Sequence, residues 1–462
     1  MRLTRIDTNF YGRAMRIALP IIIQNGITQF VNMLDNIMVG RVGTDPMSGV
    51  AIVNELLFVW YLCVFGGLSG IGIFTAQFYG KKDHDGIRYT FRLMLILCVI
   101  LLAGGFLILM RADTQLISLF LHEDGGAGNV QATLGYAEQY LRVMLIGLLP
   151  FAVTQSYATT LRSMGETVVP MNAGIVAVAV NLIGNYILIF GKFGAPALGV
   201  VGAAIATALS RYVEMAIIIL YTGTRSAKYP FIKGAVSSFK VPIDLTVNCI
   251  KKGTPLLLNE ALWSGSMAML TQSYSLRGLS VVAAINISQT LTNVFNVLFI
   301  AMGSAIGIII GQELGMGKTA TVQRDAYRLT AFSLLISTIT ITALLVLSGI
   351  FPHIYNTSEE IRATATGFIR IAALCTPIHA YANASYFILR SGGKTFITFL
   401  FDSCFAWIVP VPLAYVLSRF TQIPILQLYL CVMLAESLKC VIGFFMVRKG
   451  IWINDLTQYG KA

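Results

Sequence analysis

The sequence of 462 residues is 56% hydrophobic and only 12% charged, with a mean hydropathy of +0.75. A soluble core of this length cannot bury so much apolar surface, so the composition excludes a soluble globular protein and indicates an integral membrane protein. The formal charge of +12 is spread over separate short stretches, which argues against a nucleic-acid partner.

Long apolar segments follow one another along the whole chain. A helix needs about 20 mostly apolar residues to cross a bilayer, and we count about twelve such segments. They cover residues 15–39, 47–74, 91–110, 134–157, 168–190, 197–221, 252–272, 280–309, 328–350, 363–389, 396–418 and 425–447. The alternating polar and apolar segments of about ten residues that mark an outer-membrane barrel are missing. We therefore predict an all-α integral membrane protein with twelve transmembrane helices.

The first predicted span carries a carboxylate, Asp35, deep inside its apolar segment. The same helical face carries further polar side chains, those of Gln24, Thr28 and Asn32. An ionised carboxylate near the bilayer centre costs at least about 2.5–3.5 kcal/mol, so it needs a partner or a task. We predict that Asp35 binds a coupling cation or a proton. Pro20 removes a helical hydrogen bond and is the predicted bend point of this span.

The fifth and sixth spans offer partners for that carboxylate. Asn181 and Asn185 lie one helical turn apart on one face, and Thr207 adds a hydroxyl to a helix of otherwise small residues. Amide and hydroxyl oxygens can complete a shell for a hard cation, or can hydrogen-bond a protonated Asp35. They can also serve only to hold helices together, and this alternative stays open.

Polar side chains on other spans are candidates for a cavity or a polar route. They recur at matching positions of the two halves in the second and eighth spans, and they also occur in the seventh and tenth. The candidates are Asn54, Glu55, Glu260, Gln289, Asn293, Asn296, His379 and Tyr381. Three other acids, Glu214, Asp402 and Glu436, lie near cations or towards span ends and are interpreted as structural.

The chain contains an internal duplication. Leu161-Arg-Ser-Met-Gly-Glu-Thr167 returns as Leu389-Arg-Ser-Gly-Gly-Lys-Thr395. The stretch from Gly72 to Gly80 likewise aligns with the stretch from Gly307 to Gly315 at nearly the same spacing. Six spans fall in each half, so both halves have the same orientation. We predict two six-helix lobes related by a pseudo-two-fold axis along the membrane normal.

Charge placement predicts the topology. About 23 Lys and Arg residues fall in one set of loops against about 6 in the alternate set, which the positive-inside rule assigns to the cytoplasm. Both termini are then cytoplasmic, with an N-lobe over 1–222, a cytoplasmic linker over 223–251 and a C-lobe over 252–462. We expect a multi-pass protein of the bacterial inner membrane that is surrounded by lipids. A monomer is expected because the duplication itself supplies the pseudo-symmetry.

Catalytic motifs are missing from the sequence. The seven cysteines show no C-x-x-C spacing, the four histidines occur singly, and no phosphate-binding loop or domain for ATP hydrolysis is present. We predict no enzyme activity, no cofactor and no metal beyond a possible Na+ at Asp35.

Several of these stretches occur in one order across nearly the whole chain: Pro20 with Val31-Asn-Met-Leu-Asp-Asn-Ile-Met-Val-Gly40, Asn181-Leu-Ile-Gly-Asn185, Gly199-Val-Val-Gly-Ala-Ala-Ile-Ala-Thr207 and the repeated Leu-Arg-Ser-x-Gly-x-Thr. Together they resemble the multidrug and toxic compound extrusion (MATE) transporters. The resemblance implies a V-shaped, two-lobed antiporter that exports organic compounds against an inward Na+ or H+ gradient. It also implies an N-lobe cation site formed by Asp35, Asn181, Asn185 and Thr207.

Departures from the family pattern limit the resemblance in the second half. Trp263 occupies the position at which many members have a seventh-span Glu, and Glu260 comes one helical turn earlier. The tenth span has no acid, and His379 and Asn383 are its nearest polar substitutes. With Asn185 in place of an acid found in some relatives, the coupling ion, Na+ or H+, stays open.

We therefore predict a secondary active efflux antiporter for amphipathic organic, mainly cationic, compounds. An acid with aromatic neighbours, such as Glu260 with Trp263 and Tyr381, suits such substrates through charge and cation–π attraction. The alternative is a flippase of a related fold for a lipid-linked precursor. That activity would require clustered Arg or Lys for phosphate, and intramembrane Arg is scarce apart from Arg142 and Arg370.

Overall fold

The computed structural model describes residues 8–120, 129–355 and 357–458, and within these ranges it contains helices and no β-strand. The predicted all-α class is confirmed. The α-helices are Thr8–Gly40 (α1), Thr44–Lys81 (α2), His84–Arg111 (α3), Asp113–Ser118 (α4), Val130–Ile146 (α5), Leu148–Ser163 (α6), Val168–Phe190 (α7), Gly199–Thr224 (α8), Ile243–Ser275 (α9), Leu279–Gly315 (α10), Thr319–Ser348 (α11), Glu359–Ser391 (α12), Thr395–Phe399 (α13), Phe405–Ile408 (α14), Pro410–Phe420 (α15), Ile425–Ala435 (α16) and Ser437–Arg448 (α17).

Every predicted span corresponds to a helix or to a broken helix. In the described residues nine helical segments are long and apolar enough to cross a membrane, and α5 with α6 forms a tenth that bends by 45°. The seventh and tenth predicted spans correspond to α9 and α12, which have 33 residues each and are the most polar of the long helices.

The eleventh and twelfth spans are not regular helices. A π-helical turn over Leu400–Cys404 separates α13 from α14. Pro410 then begins α15 at a position where its missing N–H group costs no hydrogen bond. The twelfth span breaks at Glu436, between α16 and α17. These breaks turn individual side chains away from the directions that an uninterrupted helix would give them.

The chain forms two compact units. The N-terminal unit consists of residues 23–75, 83–120 and 129–249, and the C-terminal unit consists of residues 8–22, 76–82, 250–355 and 357–458. Helix α1 therefore begins in one unit and continues in the other. The division into lobes at 222 and 252 stays a prediction, because it describes halves of the sequence whereas these units describe packing.

The first part of α1 belongs to the core of the C-terminal unit. Ala14, Ile17, Ala18 and Ile21 are buried in one apolar cluster with residues of α10, α11 and α12. Within a membrane, close van der Waals packing of such side chains stabilises the association of the helices. This packing fixes the beginning of α1, while the part that carries Asp35 lies in the N-terminal unit.

Candidate functional site

The four residues predicted to hold a cation lie together in the N-terminal unit. The Nδ2 of Asn185 donates to Oδ1 of Asp35 at 2.6 Å and also lies 3.3 Å from Oδ1 of Asn181. Asn181 and Thr207 are in contact through Nδ2 and Oγ1 at 3.1 Å. Three helices, α1, α7 and α8, thus contribute to one polar cluster.

The amide of Asn181 can be oriented in two ways. With its oxygen and nitrogen exchanged, Nδ2 lies 3.0 Å from Oδ2 and 3.1 Å from Oδ1 of Asp35, and Thr207 donates to Oδ1 of Asn181 at 3.1 Å. This orientation suits an ionised Asp35, because a carboxylate accepts hydrogen bonds and repels an amide oxygen. The carboxylate then accepts from two amides, those of Asn181 and Asn185.

Small residues let α7 and α8 approach closely enough to form this cluster. A Cβ on Gly184 would lie 2.9 Å from the Cβ of Ala206, and a Cβ on Gly202 would lie 2.5 Å from the backbone oxygen of Leu188. Close packing of this kind is typical of helices in membranes. It brings Thr207 on α8 within reach of Asn181 on α7, as the spacing of small residues in the sequence suggests.

The cluster contains oxygen atoms of the kind that bind a small cation. Asn185 is 1% exposed and its Oδ1 is buried without a hydrogen-bond partner. A buried oxygen without a partner is costly, and a cation or a donor would satisfy it. One carboxylate with amide and hydroxyl oxygens is a donor set for a hard cation. No group of three His, Cys, Asp or Glu side chains suited to a metal ion occurs in the described residues.

The remaining polar residues of the predicted α1 face have other partners. The Nη2 of Arg162 donates to Oε1 of Gln24 at 2.9 Å, and the hydroxyl of Thr28 donates to the backbone oxygen of Gln24 at 2.8 Å. Asn32 is exposed. Among these side chains the structure places Asp35 against α7, and the shared helical face does not predict this difference.

The cavity candidates are separated between the two units. Asn54 and Glu55 are exposed on α2 of the N-terminal unit, where Tyr140 donates to Oδ1 of Asn54 at 3.4 Å. In the C-terminal unit the exposed candidates lie on α10 and the half-buried ones on α9 and α12. The exposed ones are Gln289, Asn293 and Asn296, and the half-buried ones are Glu260, His379 and Tyr381. Their role in a cavity stays a prediction.

Pro20 lies inside α1, which runs through it as one helix from Thr8 to Gly40. The passage from the C-terminal to the N-terminal unit follows directly, between Ile22 and Ile23. A helix that lacks one internal hydrogen bond at this position bends there most easily. The role of Pro20 as a bend point stays a prediction.

Sequence reasoning missed a second polar cluster, in the C-terminal unit. The Nδ2 of Asn259 donates to Oδ2 of Asp402 at 3.0 Å, and Nζ of Lys439 donates to Oδ1 of Asp402 at 2.5 Å. Ser403 donates to Oδ1 of Asn259 at 2.7 Å. The sequence places Lys439 near Glu436, three residues earlier, but gives no sign that it reaches Asp402. Asn259 carries no signal beyond its place after Pro255 in an apolar span.

Comparisons with known proteins agree with these observations. The family model MatE matches residues 20–187 and 255–416, one match in each half of the chain. The "Probable multidrug resistance protein YoeA" of Bacillus subtilis is 24% identical over 459 residues and covers 96% of each chain. The "Multidrug resistance protein MdtK" of Yersinia pseudotuberculosis is 26% identical over 408 residues and covers 87% of each.

A solved structure has the same fold. It is described as the outward-facing conformation of a multidrug resistance MATE family transporter of the MOP superfamily. It is 18% identical, covers 95% of both chains and superposes with a TM-score of 0.85. The predicted fold class, including twelve helices in two lobes, is confirmed by this likeness.

Proposed function

Because the chain belongs to the MatE family, we propose that it is a secondary active multidrug efflux antiporter. It exports amphipathic organic cations in exchange for Na+ or H+ by alternating access. One observation supports the exchange most directly: Asp35, an acid inside a predicted membrane span, is held by Asn185 at 2.6 Å in a cluster that has an unpartnered oxygen. An intramembrane carboxylate with neutral partners can take up and release a cation.

The amides of the cluster suit a change between a loaded and an unloaded carboxylate. Without a cation, Asn181 and Asn185 direct N–H donors at Asp35 and stabilise its charge. When Na+ arrives, rotation of either amide presents an oxygen instead. When a proton binds instead, the neutral carboxyl of Asp35 still forms hydrogen bonds with these amides. The same residues thus accommodate either ion. Transport measured under a Na+ gradient and under a pH gradient distinguishes the two.

Neutralisation of Asp35 is the step that drives the cycle. A charged carboxylate resists a less polar environment, whereas a neutral one can be enclosed at lower cost. Helix α1 then repacks around Asp35, with Pro20 as the bend, and the substrate is released to the outside. The first part of α1 packs in the core of the C-terminal unit, whereas its second part, with Asp35, belongs to the N-terminal unit.

The substrate class follows from the relatives and from the cavity candidates. YoeA and MdtK are named multidrug resistance proteins, and Glu260 with its aromatic neighbours suits cationic, partly apolar compounds. The relatives do not favour a flippase for lipid-linked precursors. Members of the family are transporters, and we propose transport without catalysis or a cofactor for this chain.

The cellular setting is proposed on the same grounds. The multi-pass helices and the bacterial relatives support a bacterial inner membrane. Lys and Arg placement supports cytoplasmic termini and a cytoplasmic linker over 223–251 between lobes over 1–222 and 252–462. The duplicated halves support a monomer among lipids, with organic small molecules as partners and no nucleic acid.

Reconstituted vesicles test the proposal. Wild type and Asp35→Asn are compared for accumulation of a fluorescent organic cation under an imposed Na+ gradient and, separately, an imposed pH gradient. We expect transport with one of the gradients and at least a tenfold loss in Asp35→Asn, about 1.4 kcal/mol in free-energy terms. Full transport in the variant would refute exchange at Asp35. Absence of transport with either gradient would favour lipid-linked or anionic substrates instead.

A further inference from the structure

The C-terminal unit buries a lysine, Lys439, among carboxylates in the twelfth span. We propose that its ammonium group is a tethered cation that permanently fills the anionic centre of this unit. The C-terminal unit then takes up no free inorganic cation, and one ion is exchanged per cycle, at Asp35. This inference rests on the proposed function of Asp35 and adds the stoichiometry and the location of exchange.

The geometry around the ammonium group is that of a filled cation site. The Nζ of Lys439 lies 2.5 Å from Oδ1 of Asp402 and 3.8 Å from Oε2 of Glu436, and the three side chains are between 10% and 19% exposed. The same Nζ lies 5.5 Å from the ring centroid of Phe401 and 6.0 Å from that of Phe405. Two acids and two aromatic rings surround one fixed positive charge, as they would surround a bound cation.

The acid is fixed in place by a distorted helix. Asp402 lies in the π-helical turn Leu400–Cys404, and such turns are frequent at functional sites. Asn259 on α9 holds this turn: its Nδ2 donates to Oδ2 of Asp402, and its backbone and side-chain oxygens each accept from Ser403 at 2.7 Å. Both carboxylate oxygens of Asp402 are thus used, one by an amide and one by the ammonium group.

The remaining acid of this region also has a cation nearby. Glu260 is adjacent to Asn259 in the chain, and Arg390 acts on it as an opposite charge. Arg390 is itself buried and lies above the rings of Tyr386 and Phe387. Two cations, Lys439 and Arg390, thus offset part of the charge of the three acids Asp402, Glu436 and Glu260.

The acids in the two halves of the chain have different kinds of partner. At Asp35 the hydrogen-bond partner is the neutral amide of Asn185, with Asn181 and Thr207 next to it, and not a charged side chain. The matching positions of the second half can be read from the repeats, because Pro20 and Pro255 are 235 residues apart and the Leu-Arg-Ser motifs are 228 residues apart. The residues at the positions that match Asp35, Asn181 and Asn185 are Leu270, Val409 and Leu413.

Those matching positions are apolar, and Leu270 and Leu413 pack against one hydrophobic cluster. The second half has thus replaced the exchangeable site with apolar packing. Asp402, one of the acids within its predicted spans, lies elsewhere and forms an ion pair with Lys439. A covalently attached cation cannot leave, so Lys439 has a structural role in the second half. Ion exchange takes place in the first half, at Asp35.

Cation titrations of purified full-length protein test the inference. The melting temperature is followed in NaCl or methylammonium chloride, with N-methylglucamine chloride keeping the ionic strength constant. Asp35→Asn serves as the background, so that any response comes from elsewhere. Asp35→Asn/Lys439→Ala empties the proposed centre, and Asp35→Asn/Asp402→Asn/Lys439→Ala removes its charge as well as its cation.

We expect Asp35→Asn/Lys439→Ala to melt at a lower temperature than its background and to recover in a saturable way with Na+ or methylammonium. A rise of about 2–4 °C is expected at saturating cation. The Asp35→Asn protein and the triple variant should show no saturable rise. No saturable response in the double variant would overturn the proposal. A saturable response in Asp35→Asn with Lys439 intact would also overturn it.

A second variant covers a failure to fold. If Lys439→Ala gives no folded protein, Lys439→Met keeps the length of the side chain and removes the charge, and the same criteria apply. The proposed exchange at Asp35 is judged separately, by gradient-driven efflux in vesicles. Full efflux by Asp35→Asn would refute that exchange while leaving the titration at Lys439 unaffected.

Discussion

Gly80 lies against the backbone carbonyl of Gln312 so closely that a methyl group on its α-carbon would overlap the carbonyl oxygen. The reciprocal contact also exists, because Gly315 lies in the same way against the carbonyl of Gln77. Gly80 and Gly315 are the last residues of the two aligned motifs. Gln77 and Gln312 come three residues before the final glycine of their own motif, so each glycine contacts the glutamine of the other motif. The duplicated motifs therefore meet each other in the C-terminal unit, at the ends of α2 and α10.

We expect Gly80→Ala and Gly315→Ala to destabilise the protein. Neither backbone can give way without a shift of the other helix, and overpacking of this kind costs about 1–3 kcal/mol. The melting temperature of each purified variant measures the effect. Gly12→Ala is the matched control, because no atom lies within 4 Å of its added Cβ. Alanine favours a helix over glycine, so an unchanged or higher melting temperature is expected there.

Asn185 is expected to control how strongly Asp35 holds a cation. Asn185→Leu removes the 2.6 Å hydrogen bond to the carboxylate, and a bond to a charged group is worth about 1.5–3 kcal/mol. We expect it to abolish gradient-driven efflux. Asn185→Asp adds a second carboxylate, so Na+ should bind more tightly, about tenfold for each 1.4 kcal/mol gained.

Binding of radioactive Na+ and efflux at several pH values distinguish these variants. Asn32→Leu is the control, since Asn32 is an exposed amide on the same helix as Asp35. It should leave Na+ binding unchanged. Equal Na+ affinity in wild type, Asn185→Leu and Asn185→Asp would show that Asn185 has no part in cation binding.

The sequence predicts the spans well, because length and apolar composition are properties of each segment alone. It also places Asp35, Asn181 and Asn185 on helix faces that the structure brings together, while their role in coupling stays a prediction. It does not predict that α1 begins in one unit and ends in the other. An apolar face shows that a helix is buried but not which neighbour buries it.

The second polar cluster shows the same limit. Asp402 contacts Asn259 and Lys439 from within a π-helical turn. A regular helical wheel gives a different direction. Ser403, in the same turn, donates to Asn259 on α9. These residues are far apart in the sequence, so their contact leaves no periodic pattern.

Gln77 is expected to hold the C-terminal tail. Its Nε2 donates to the backbone oxygens of Ser391 and Asn454 at 3.0 and 3.2 Å, and its Oε1 accepts from the backbone N–H of Leu456 at 2.7 Å. Gln77→Leu leaves these groups without a partner, at about 1–3 kcal/mol for each buried one. A lower melting temperature should follow, whereas Gln272→Leu changes an exposed glutamine. Equal melting temperatures for both variants would contradict this role.

Acid should loosen the tail at Asp455. Burial raises the pKa of Asp455, but hydrogen bonds led by those from Thr457 outweigh it and hold the pKa below its usual value of 3.8. The ionised carboxylate therefore stabilises the docked tail above about pH 4. This contribution is lost as the pH falls through the lower pKa of the folded state.

Fluorescence of the buried Trp452 between pH 6 and pH 2 follows this change, with Asp455→Asn as the comparison. The variant has no carboxylate to protonate, so its signal should vary less than that of wild type over the acidic part of the range. Identical acid profiles in the two proteins would assign the loosening to other groups.

Arg92 is expected to fix the segment that follows α8. Its Nη2 donates to the backbone oxygen of Gly234 at 2.6 Å, and its Nε and Nη1 donate to those of Ala235 and Lys240, both at 3.0 Å. Phe231, in the same segment, is fully buried. The predicted linker is therefore packed onto the N-terminal unit rather than loosely attached.

Arg92→Lys tests the role of these three hydrogen bonds more specifically than Arg92→Ala does. A lysine keeps the charge, but its single ammonium group cannot match the planar fork that reaches three carbonyls. We expect faster tryptic cleavage between residues 226 and 240 and a lower melting temperature, by an amount close to that of Arg92→Ala. Arg324→Lys is the control, because the side chain of Arg324 is 67% exposed. If Arg92→Lys resists trypsin as wild type does, charge alone holds the segment and the three directed hydrogen bonds contribute little.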